Sequence, residues 1–150
     1  MTIRMMTIKD YAEVYTLWKT TADLGIQFFE DSEEGIGRFL ERNPRTCFVA
    51  MEKGKIVGVI LSGHDGRRGF IYHTAVEKMN PVRHVGKALV AAVEEAMKKE
   101  GIHKIALVVF KDNKQGNMFW KGQGFFEQED MVYRNKDLYP QDIGINQPLT

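Results

Sequence analysis

The strongest pattern in this sequence is a helical repeat of apolar residues that begins at Val85. From there to Met97 the apolar side chains recur at helical spacing, while lysine and glutamate occupy the opposite face. Gly101 follows, as is typical after a helix end, and residues 105–110 (IALVVF) then form an uninterrupted apolar run, as in a strand covered on both faces. A helix and a buried strand in this order predict a sheet with helices packed against it.

Two turn signals before that helix predict antiparallel strands. Lys53-Gly54 lies between residues 46–51 (TCFVAM) and 55–63 (KIVGVILSG), and Asp65-Gly66 leads into residues 69–76 (GFIYHTAV). Asp and Gly both tolerate the positive φ that a two-residue hairpin turn requires. Three adjacent antiparallel strands are therefore expected.

Shorter patterns complete the predicted fold. They are a short strand in MTIRMMTI, a helix capped by Asp10, a helix that begins near Asp31 or Ser32, a short helix capped by Asp112 or Asn113, and a last strand in residues 130–135 (DMVYRN). Helices and strands interleave around central hairpins. This order favours an α/β (α+β) architecture, in which helices flank a mixed sheet.

Composition limits the class of protein. The 150 residues suit one domain, 1–150, with residues 138–150 as a C-terminal extension that has lost periodicity. The 21 basic and 20 acidic residues give a net charge of +1, which argues against a nucleic-acid partner. The apolar runs are shorter than the roughly 20 residues that cross a membrane. A single cysteine and the absence of an apolar leader predict a cytoplasmic protein.

Residues 80–90 (NPVRHVGKALV) are the first candidate site, because they place Arg83, Gly86 and Lys87 at a helix start. Unpaired N–H groups there bind phosphate, and a glycine lets the ligand approach the backbone. Ala88 follows Lys87 where a Walker loop needs Ser or Thr, and the chain has no G-x-G-x-x-G dinucleotide motif. Either the stretch binds another diphosphate, or its charged residues are simply solvated.

Two motifs resemble the GNAT superfamily of acyl-CoA-dependent N-acyltransferases. The cofactor motif R/Q-x-x-G-x-G/A is matched by Arg83 to Ala88, after the strand that ends at Ala75-Val76. A second signature, an Asn before a short helix that ends in an aromatic pair and a Gly-Phe, is matched by Asn113, Phe119-Trp120 and Gly124-Phe125.

The resemblance covers about residues 2–137 and implies the GNAT fold. That fold is a mixed, mostly antiparallel central sheet of six to seven strands, splayed between the fourth and fifth strands and flanked by about four helices. The resemblance also implies that acetyl-CoA binds in the splay, without a metal. The residues implied to bind it are Ala75 and Val76 beside the pantetheine, then Arg83, His84, Val85, Gly86, Lys87 and Ala88 at the diphosphate, and Asn113, Phe119 and Trp120 on the other side.

The catalytic groups match the family less well. In many members a tyrosine protonates the leaving thiolate from the position held here by Trp120, whose indole N–H is no practical acid. Members with a glutamate base carry it at positions that Phe70 and Val108 occupy here. Tyr72 and His73 are the remaining titratable candidates on the central strand. Alternation along a strand predicts that only one of them faces the cleft.

Other titratable groups have simpler explanations. Cys47 has no neighbouring histidine in the sequence and is expected in the core rather than as an acyl-enzyme nucleophile. The four histidines show no metal-ligand spacing. The acidic stretch from Phe28 to Glu34 is expected to start a helix, or alternatively to line the acceptor mouth and favour cationic amines.

These observations predict an N-acetyltransferase that transfers the acetyl group of acetyl-CoA to a primary amine in a ternary complex. The acceptor is a small-molecule amine or a protein amino terminus, and the resemblance allows a homodimer. The alternative is a catalytically inactive acyl-CoA-binding sensor or protein-interaction module, which the tryptophan at position 120 and the missing glutamates keep open. Turnover distinguishes the two.

Overall fold

A mixed sheet organises the fold. The computed structural model describes residues 1–21, 25–26, 29–78 and 82–139. The strands in these ranges are β1 (Thr2–Met5), β2 (Phe48–Glu52), β3 (Lys55–His64), β4 (Gly69–Val76) and β5 (Ile105–Leu107). The α-helices are α1 (Tyr11–Lys19), α2 (Glu33–Arg42), α3 (Val82–Lys99) and α4 (Lys114–Gly122). The strands lie side by side in sequence order, antiparallel from β1 to β4, and β5 is parallel to β4.

Local capping signals place the helix ends close to where the sequence predicts them. The Ser32 hydroxyl accepts a backbone N–H of the first turn of α2 at 3.1 Å. Asn113 Oδ1 does the same for α4 at 2.9 Å. Gly101 follows α3 with a φ of 79°, which only glycine adopts easily.

Asp10 caps a different element from the one expected. It ends a short 3-10 turn, Ile8–Asp10, that precedes α1, and its carboxylate accepts the N–H of Thr7 at 2.9 Å. The same carboxylate binds the Arg4 guanidinium through two hydrogen bonds of 2.9 Å. Asp10 makes no side-chain cap on α1, because its oxygens are already used in these contacts.

Helices cover both faces of the sheet. α1 and α2 pack on one face, where Trp18 and Ile36 are fully buried. α3 packs on the other face and buries Leu89. Gly58 of β3 allows this approach, since a Cβ at that position would lie 2.7 Å from a methyl carbon of Val85.

A bulge in β4 changes which way its side chains face. The register with β3 shifts there, so that Leu61 alone lies opposite both Tyr72 and His73. Both side chains consequently face α1 and α2. The Tyr72 ring contacts Phe39 of α2 with ring centroids 5.4 Å apart, and the His73 ring contacts Trp18 of α1 at 5.0 Å. The expectation that the two side chains point to opposite faces was wrong, because strict alternation holds only in a regular strand.

The described residues form fewer strands than expected. Only Ile105–Leu107 of the predicted strand 105–110 pairs with β4, and residues 130–135 form no strand. A strand needs a neighbouring edge, and the short β5 offers little of one. Met131 and Val132 accordingly remain 69% and 75% exposed. The described sheet therefore has five strands, and the prediction of six to seven was wrong. Of the predicted extension, residues 140–150 lie outside the described ranges.

The turn at Asp65-Gly66 is longer than the two-residue turn expected. Of these two residues only Gly66 has a positive φ, at 94°. The Asp65 carboxylate accepts the N–H groups of Arg67 and Arg68 at 2.8 and 2.9 Å, which stabilises a loop from Asp65 to Arg68. At Lys53-Gly54 both residues have positive φ, as the predicted hairpin requires.

Candidate active site

The candidate site is a gap between β4 and β5. The two strands pair only where Gly69–Ile71 meets Ile105–Leu107. β4 continues to Val76, and its later residues have no strand beside them on the β5 side among the described residues. The sheet is thus splayed between its fourth and fifth strands.

The hydrogen-bond pattern shows which backbone groups of β4 point into this gap. The Glu77 N–H donates to the Val57 carbonyl at 2.8 Å. In an antiparallel pair this bond makes Val76 a non-hydrogen-bonded position, whose N–H and C=O point away from β3. The pattern repeats every second residue, so the backbone of Thr74 also faces the gap. Ala75, expected beside the cofactor, instead uses its backbone groups in the pairing with β3.

The first turn of α3 follows the free end of β4, from which only the short connection 77–81 separates Val82. A helix leaves the N–H groups of its first turn without partners in the helix, and its dipole makes this end positive. Here that turn contains Arg83 and His84. Helix carbonyls accept the N–H groups of residues 85–88, so the unpaired N–H groups of α3 lie before them, toward the helix start. The Arg83 side chain and residues 79–81 lie outside the described structure.

α4 approaches α3 at the predicted cofactor motif. A Cβ at Gly86 would lie 3.0 Å from two carbons of the Phe119 ring. Trp120 packs edge-on against Phe119 and Phe125, with centroids 5.0 and 5.2 Å away. Asn113 lies at the start of this helix as its cap. Gly86 and the aromatic pair are therefore brought together.

The remaining residues of the predicted motif differ in exposure. His84 and Lys87 are exposed on α3, Ala88 is half-buried, and Val85 is buried against the sheet. His84 and Lys87 are thus accessible to an anion at this end of the helix. Val85 serves the core, which its place in the apolar repeat predicts.

On the opposite face of β4, His73 pairs with Asp31. Its Nε2 lies 2.8 Å from Asp31 Oδ2, and the two residues are 1% and 5% exposed. Asp31 lies in the connection between α1 and α2, one residue before the Ser32 cap. The Tyr11 hydroxyl of α1 donates to the Asp31 carbonyl at 2.7 Å. The α1–α2 connection is thereby attached to both α1 and β4.

Tyr72 and Glu30 are the neighbours of this pair in sequence, and they interact electrostatically. Burial and the nearby Glu30 carboxylate raise the pKa of Tyr72, with a further contribution from Tyr133. Desolvation and Asp31 raise the pKa of Glu30, although the residue as a whole is exposed. Tyr72 is therefore a neutral hydrogen-bond donor near pH 7, and the Glu30 carboxylate acts on it electrostatically.

Comparison with known proteins identifies the family. Residues 10–125 match the family model described as the acetyltransferase (GNAT) family. The chain belongs to the GNAT acetyltransferases. An acetyltransferase of Photorhabdus laumondii is 37% identical over 113 residues, which cover 75% of this chain and 78% of the relative.

Two solved structures share the fold. Ard1 from Thermoplasma volcanium superposes with a TM-score of 0.73 at 25% identity, over 83% of this chain and 82% of that chain. The PaiA N-acetyltransferase from Thermoplasma acidophilum, solved in complex with coenzyme A, has a TM-score of 0.74 at 19% identity, over 87% of this chain and 92% of that one. These matches identify the splayed sheet as that of the GNAT fold.

The cysteine of this GNAT chain is a core residue. Cys47 is fully buried, its Sγ lies 3.2 Å from the Ser62 carbonyl oxygen, and burial raises the pKa of the thiol to about 12. The prediction of a core cysteine is thus confirmed.

Across the described ranges, no three His, Cys, Asp or Glu residues are grouped to hold a metal. No helix in these ranges is long and apolar enough to cross a membrane.

Two residues near the GNAT cleft acquire roles that the sequence reasoning did not assign. The acidic stretch was interpreted as a helix start or an acceptor mouth, but the pairing of Asp31 with His73 was missed. Thr74 was missed as well, because only the hydrogen-bond register shows that its backbone faces the gap. One local signal was present for Asp31: Ser32 supplies the α2 cap, so the acidic residue before it is not the capping residue. Phe28, named in the same stretch, lies outside the described residues.

Proposed function

We propose that this GNAT acetyltransferase transfers the acetyl group of acetyl-CoA directly to a primary amine. The observation that carries the proposal is the gap between β4 and β5, with Thr74 and Val76 directing backbone groups into it. An extended chain of amides, such as pantetheine, pairs with a free strand edge of this kind. The first turn of α3, which follows the free end of β4, suits a diphosphate. The coenzyme A bound to PaiA, which has the same fold, supports this assignment.

Direct transfer is favoured over an acetyl-cysteine intermediate. Cys47 is the single cysteine of the chain. With a pKa of about 12 its thiol is almost wholly protonated near pH 7, and the thiolate is the nucleophilic form. Burial also keeps an acyl donor away from the sulfur. A ternary complex in which the amine attacks the thioester is therefore the simpler route.

In this reaction the neutral amine attacks the thioester carbonyl carbon and the new C–N bond forms. The C–S bond breaks, the nitrogen loses one proton, and coenzyme A leaves as a thiolate that takes up one proton. The Tyr72 hydroxyl, held in its neutral form, is the proposed hydrogen-bond donor to the developing charge. His73 is buried behind it in the bond to Asp31, which makes direct contact with the amine a less suitable role. Of the two catalytic candidates, Tyr72 is thus proposed as the group that touches the reacting atoms.

Glu30 points to the class of acceptor. A carboxylate that acts electrostatically on Tyr72 attracts an amine that carries a second positive charge, such as a diamine or a peptide with a basic residue near its amino terminus. Among the acidic residues of the predicted acceptor mouth, Glu30 is the one that interacts with Tyr72, while Asp31 is buried. The cytoplasmic location and the homodimer stay predictions.

The proposal is tested on the wild-type chain in two steps. Calorimetry with acetyl-CoA measures binding, and a thiol reagent then measures coenzyme A release with monoamines, diamines and amino-terminal peptides. A diamine whose nitrogens are fully methylated is the matched control, since it keeps the charge but cannot be acetylated. Binding with amine-dependent release supports the enzyme. Binding without release from any acceptor indicates the sensor, and absence of binding refutes the site.

A further inference from the structure

The buried Asp31–His73 pair has no direct place in the proposed chemistry. Its 2.8 Å contact is almost completely shielded from water, and the His73 ring packs against Trp18 with centroids 5.0 Å apart and an interplanar angle of 68°. Polar partners buried in this way lose hydration, so removing either one of them is costly. A group of this kind acts best by fixing the position of its neighbours.

Those neighbours are the two residues proposed for the acceptor mouth. Glu30 immediately precedes Asp31, and Tyr72 immediately precedes His73. The bulge in β4 turns Tyr72 and His73 to the same face, so a bond at one residue also constrains the other. The 2.8 Å contact between Asp31 and His73 brings the chain segments that carry Glu30 and Tyr72 together. The raised pKa of Tyr72, to which the Glu30 carboxylate contributes, agrees with this arrangement.

The connection between α1 and α2, which carries Glu30, also contacts both of these helices. Tyr11 binds the Asp31 carbonyl, and the Ser32 N–H and hydroxyl donate to the Phe29 carbonyl at 3.3 and 2.7 Å. Gly35 of α2 lies so close that a Cβ there would approach the Phe29 carbonyl oxygen to 2.3 Å. Residues 29–32 therefore move with α1 and α2, and the bond from Asp31 to His73 sets their position relative to β4.

We propose that Asp31 and His73 form a positioning pair that holds Glu30 opposite Tyr72 and thereby sets the affinity for the amine acceptor. Neither residue touches the amine. The inference rests on the proposed acetyltransferase function, because it concerns the acceptor side of that reaction. It predicts a selective effect: the KM for the acceptor depends on the pair, while acetyl-CoA, on the other side of β4, binds independently of it.

The test compares the kinetics of two His73 variants on the full chain. In His73→Gln the amide retains a donor that can reach Asp31, whereas His73→Leu has none. We expect the acceptor KM to rise about tenfold in His73→Leu and by less in His73→Gln, with kcat and the Kd for acetyl-CoA nearly unchanged. A residue that only stabilised the fold would instead lower the active fraction, and so the apparent kcat, at constant KM.

Two further variants complete the design. Tyr11→Phe removes only the hydroxyl that holds the Asp31 carbonyl, so it tests the same positioning without a change in the buried pair. We expect it to raise the acceptor KM about threefold, and it remains informative if the His73 variants fail to fold. The matched control is His64→Leu, which removes a second histidine–carboxylate contact of 2.8 Å, to Glu100, at the hairpin end of β3. It should leave both substrates unaffected.

The outcomes separate the two proposals. An unchanged acceptor KM in Tyr11→Phe and in every folded His73 variant, with an active wild-type enzyme, overturns the positioning role alone. An equal loss of acetyl-CoA affinity in the His73 variants overturns it too, because the effect is then general. Absence of amine-dependent thiol release from the wild-type chain refutes the acetyltransferase function and the positioning role together.

Discussion

Gly86 and Phe119 meet at the contact between α3 and α4. A Cβ at Gly86 would approach two carbons of the Phe119 ring to 3.0 Å, which is closer than such contacts normally are. The glycine in the predicted cofactor motif therefore has a packing role, because it allows α4 to lie against the start of α3. An aspartate at this position would test packing and charge together, so a smaller change is needed.

Gly86→Ala should destabilise the chain by about 1–2 kcal/mol, because the Phe119 ring must move to admit the methyl group. The displaced α4 should also weaken acetyl-CoA binding. Urea unfolding and calorimetry measure the two effects.

Gly122→Ala is the control, since nothing lies within 4 Å of a Cβ there. Alanine in that helix should stabilise it by as much as about 1 kcal/mol. Combining Gly86→Ala with Phe119→Leu should recover much of the loss. Independent, additive effects of these two changes would contradict the proposed contact.

The backbone of Val76 can be tested with proline. Val76→Pro removes an N–H that points into the gap, so the chain should fold and bind acetyl-CoA about tenfold more weakly. Ala75→Pro removes a group that pairs with β3 and should destabilise the fold by about 3 kcal/mol. Unfolding curves and calorimetry distinguish the two. If Val76→Pro binds acetyl-CoA like the wild type, pantetheine does not pair with this residue.

Glu30 should cause the acceptor KM to rise on acidification, and this rise should begin at a higher pH than an ordinary glutamate would produce. The pKa of its carboxyl group is raised, so the carboxylate is neutralised at a higher pH than an ordinary glutamate, for which the value is about 4.3. The KM for an acceptor that carries a quaternary ammonium beside its primary amine should therefore rise as the pH falls through this range. The permanent charge excludes titration of the binding group itself.

Glu30→Gln should raise that KM at neutral pH and remove its acid dependence. Glu34→Gln, in the exposed first turn of α2, is the control and should retain the wild-type profile. Identical profiles for the wild type and Glu30→Gln would exclude Glu30 from acceptor binding.

Cys47 should weaken the fold at alkaline pH. Burial raises the pKa of its thiol to about 12, whereas the thiol of an unfolded cysteine has a pKa of about 8.5. The folded state therefore resists ionisation. This contribution to the free energy of unfolding is complete below the unfolded pKa and is lost as the pH rises toward the folded value, by about 1.4 kcal/mol per pH unit.

Urea unfolding between pH 8 and roughly 10 should show a smaller decline in the free energy of unfolding for Cys47→Ser than for the wild type. Equal declines would mean that the thiol ionises in the folded protein as easily as in the unfolded chain.

Much of the fold was predictable because its signals are local. Ser32 and Asn113 cap their own helices, Gly101 follows the end of α3, and Lys53-Gly54 adopts the positive φ of its hairpin. Each depends on residues within one turn of chain. The prediction at Asp65-Gly66 was incomplete, since the side chain of Asp65 stabilises a longer loop than the dipeptide pattern indicates.

The candidate site was predictable on its cofactor side and much less on its acceptor side. The motif from Arg83 to Ala88 is contiguous, so it identifies the start of α3 and the GNAT family. Asp31 and His73 are far apart in sequence, and no spacing rule relates them. The side chains of Tyr72 and His73 were wrongly expected on opposite faces for the same reason. The bulge that turns them to one face depends on the register between β3 and β4, which are separate segments of the chain.

The sequence alone determined the helices, the hairpins, the core positions of α3 and the family, because periodicity, capping and motifs act over short distances along the chain. The tertiary structure decided where β5 ends, which amides of β4 face the gap, and that Tyr72 and His73 share a face. These features depend on contacts between segments distant in sequence, and the free energy of such contacts is fixed only when the sheet and its helices pack together.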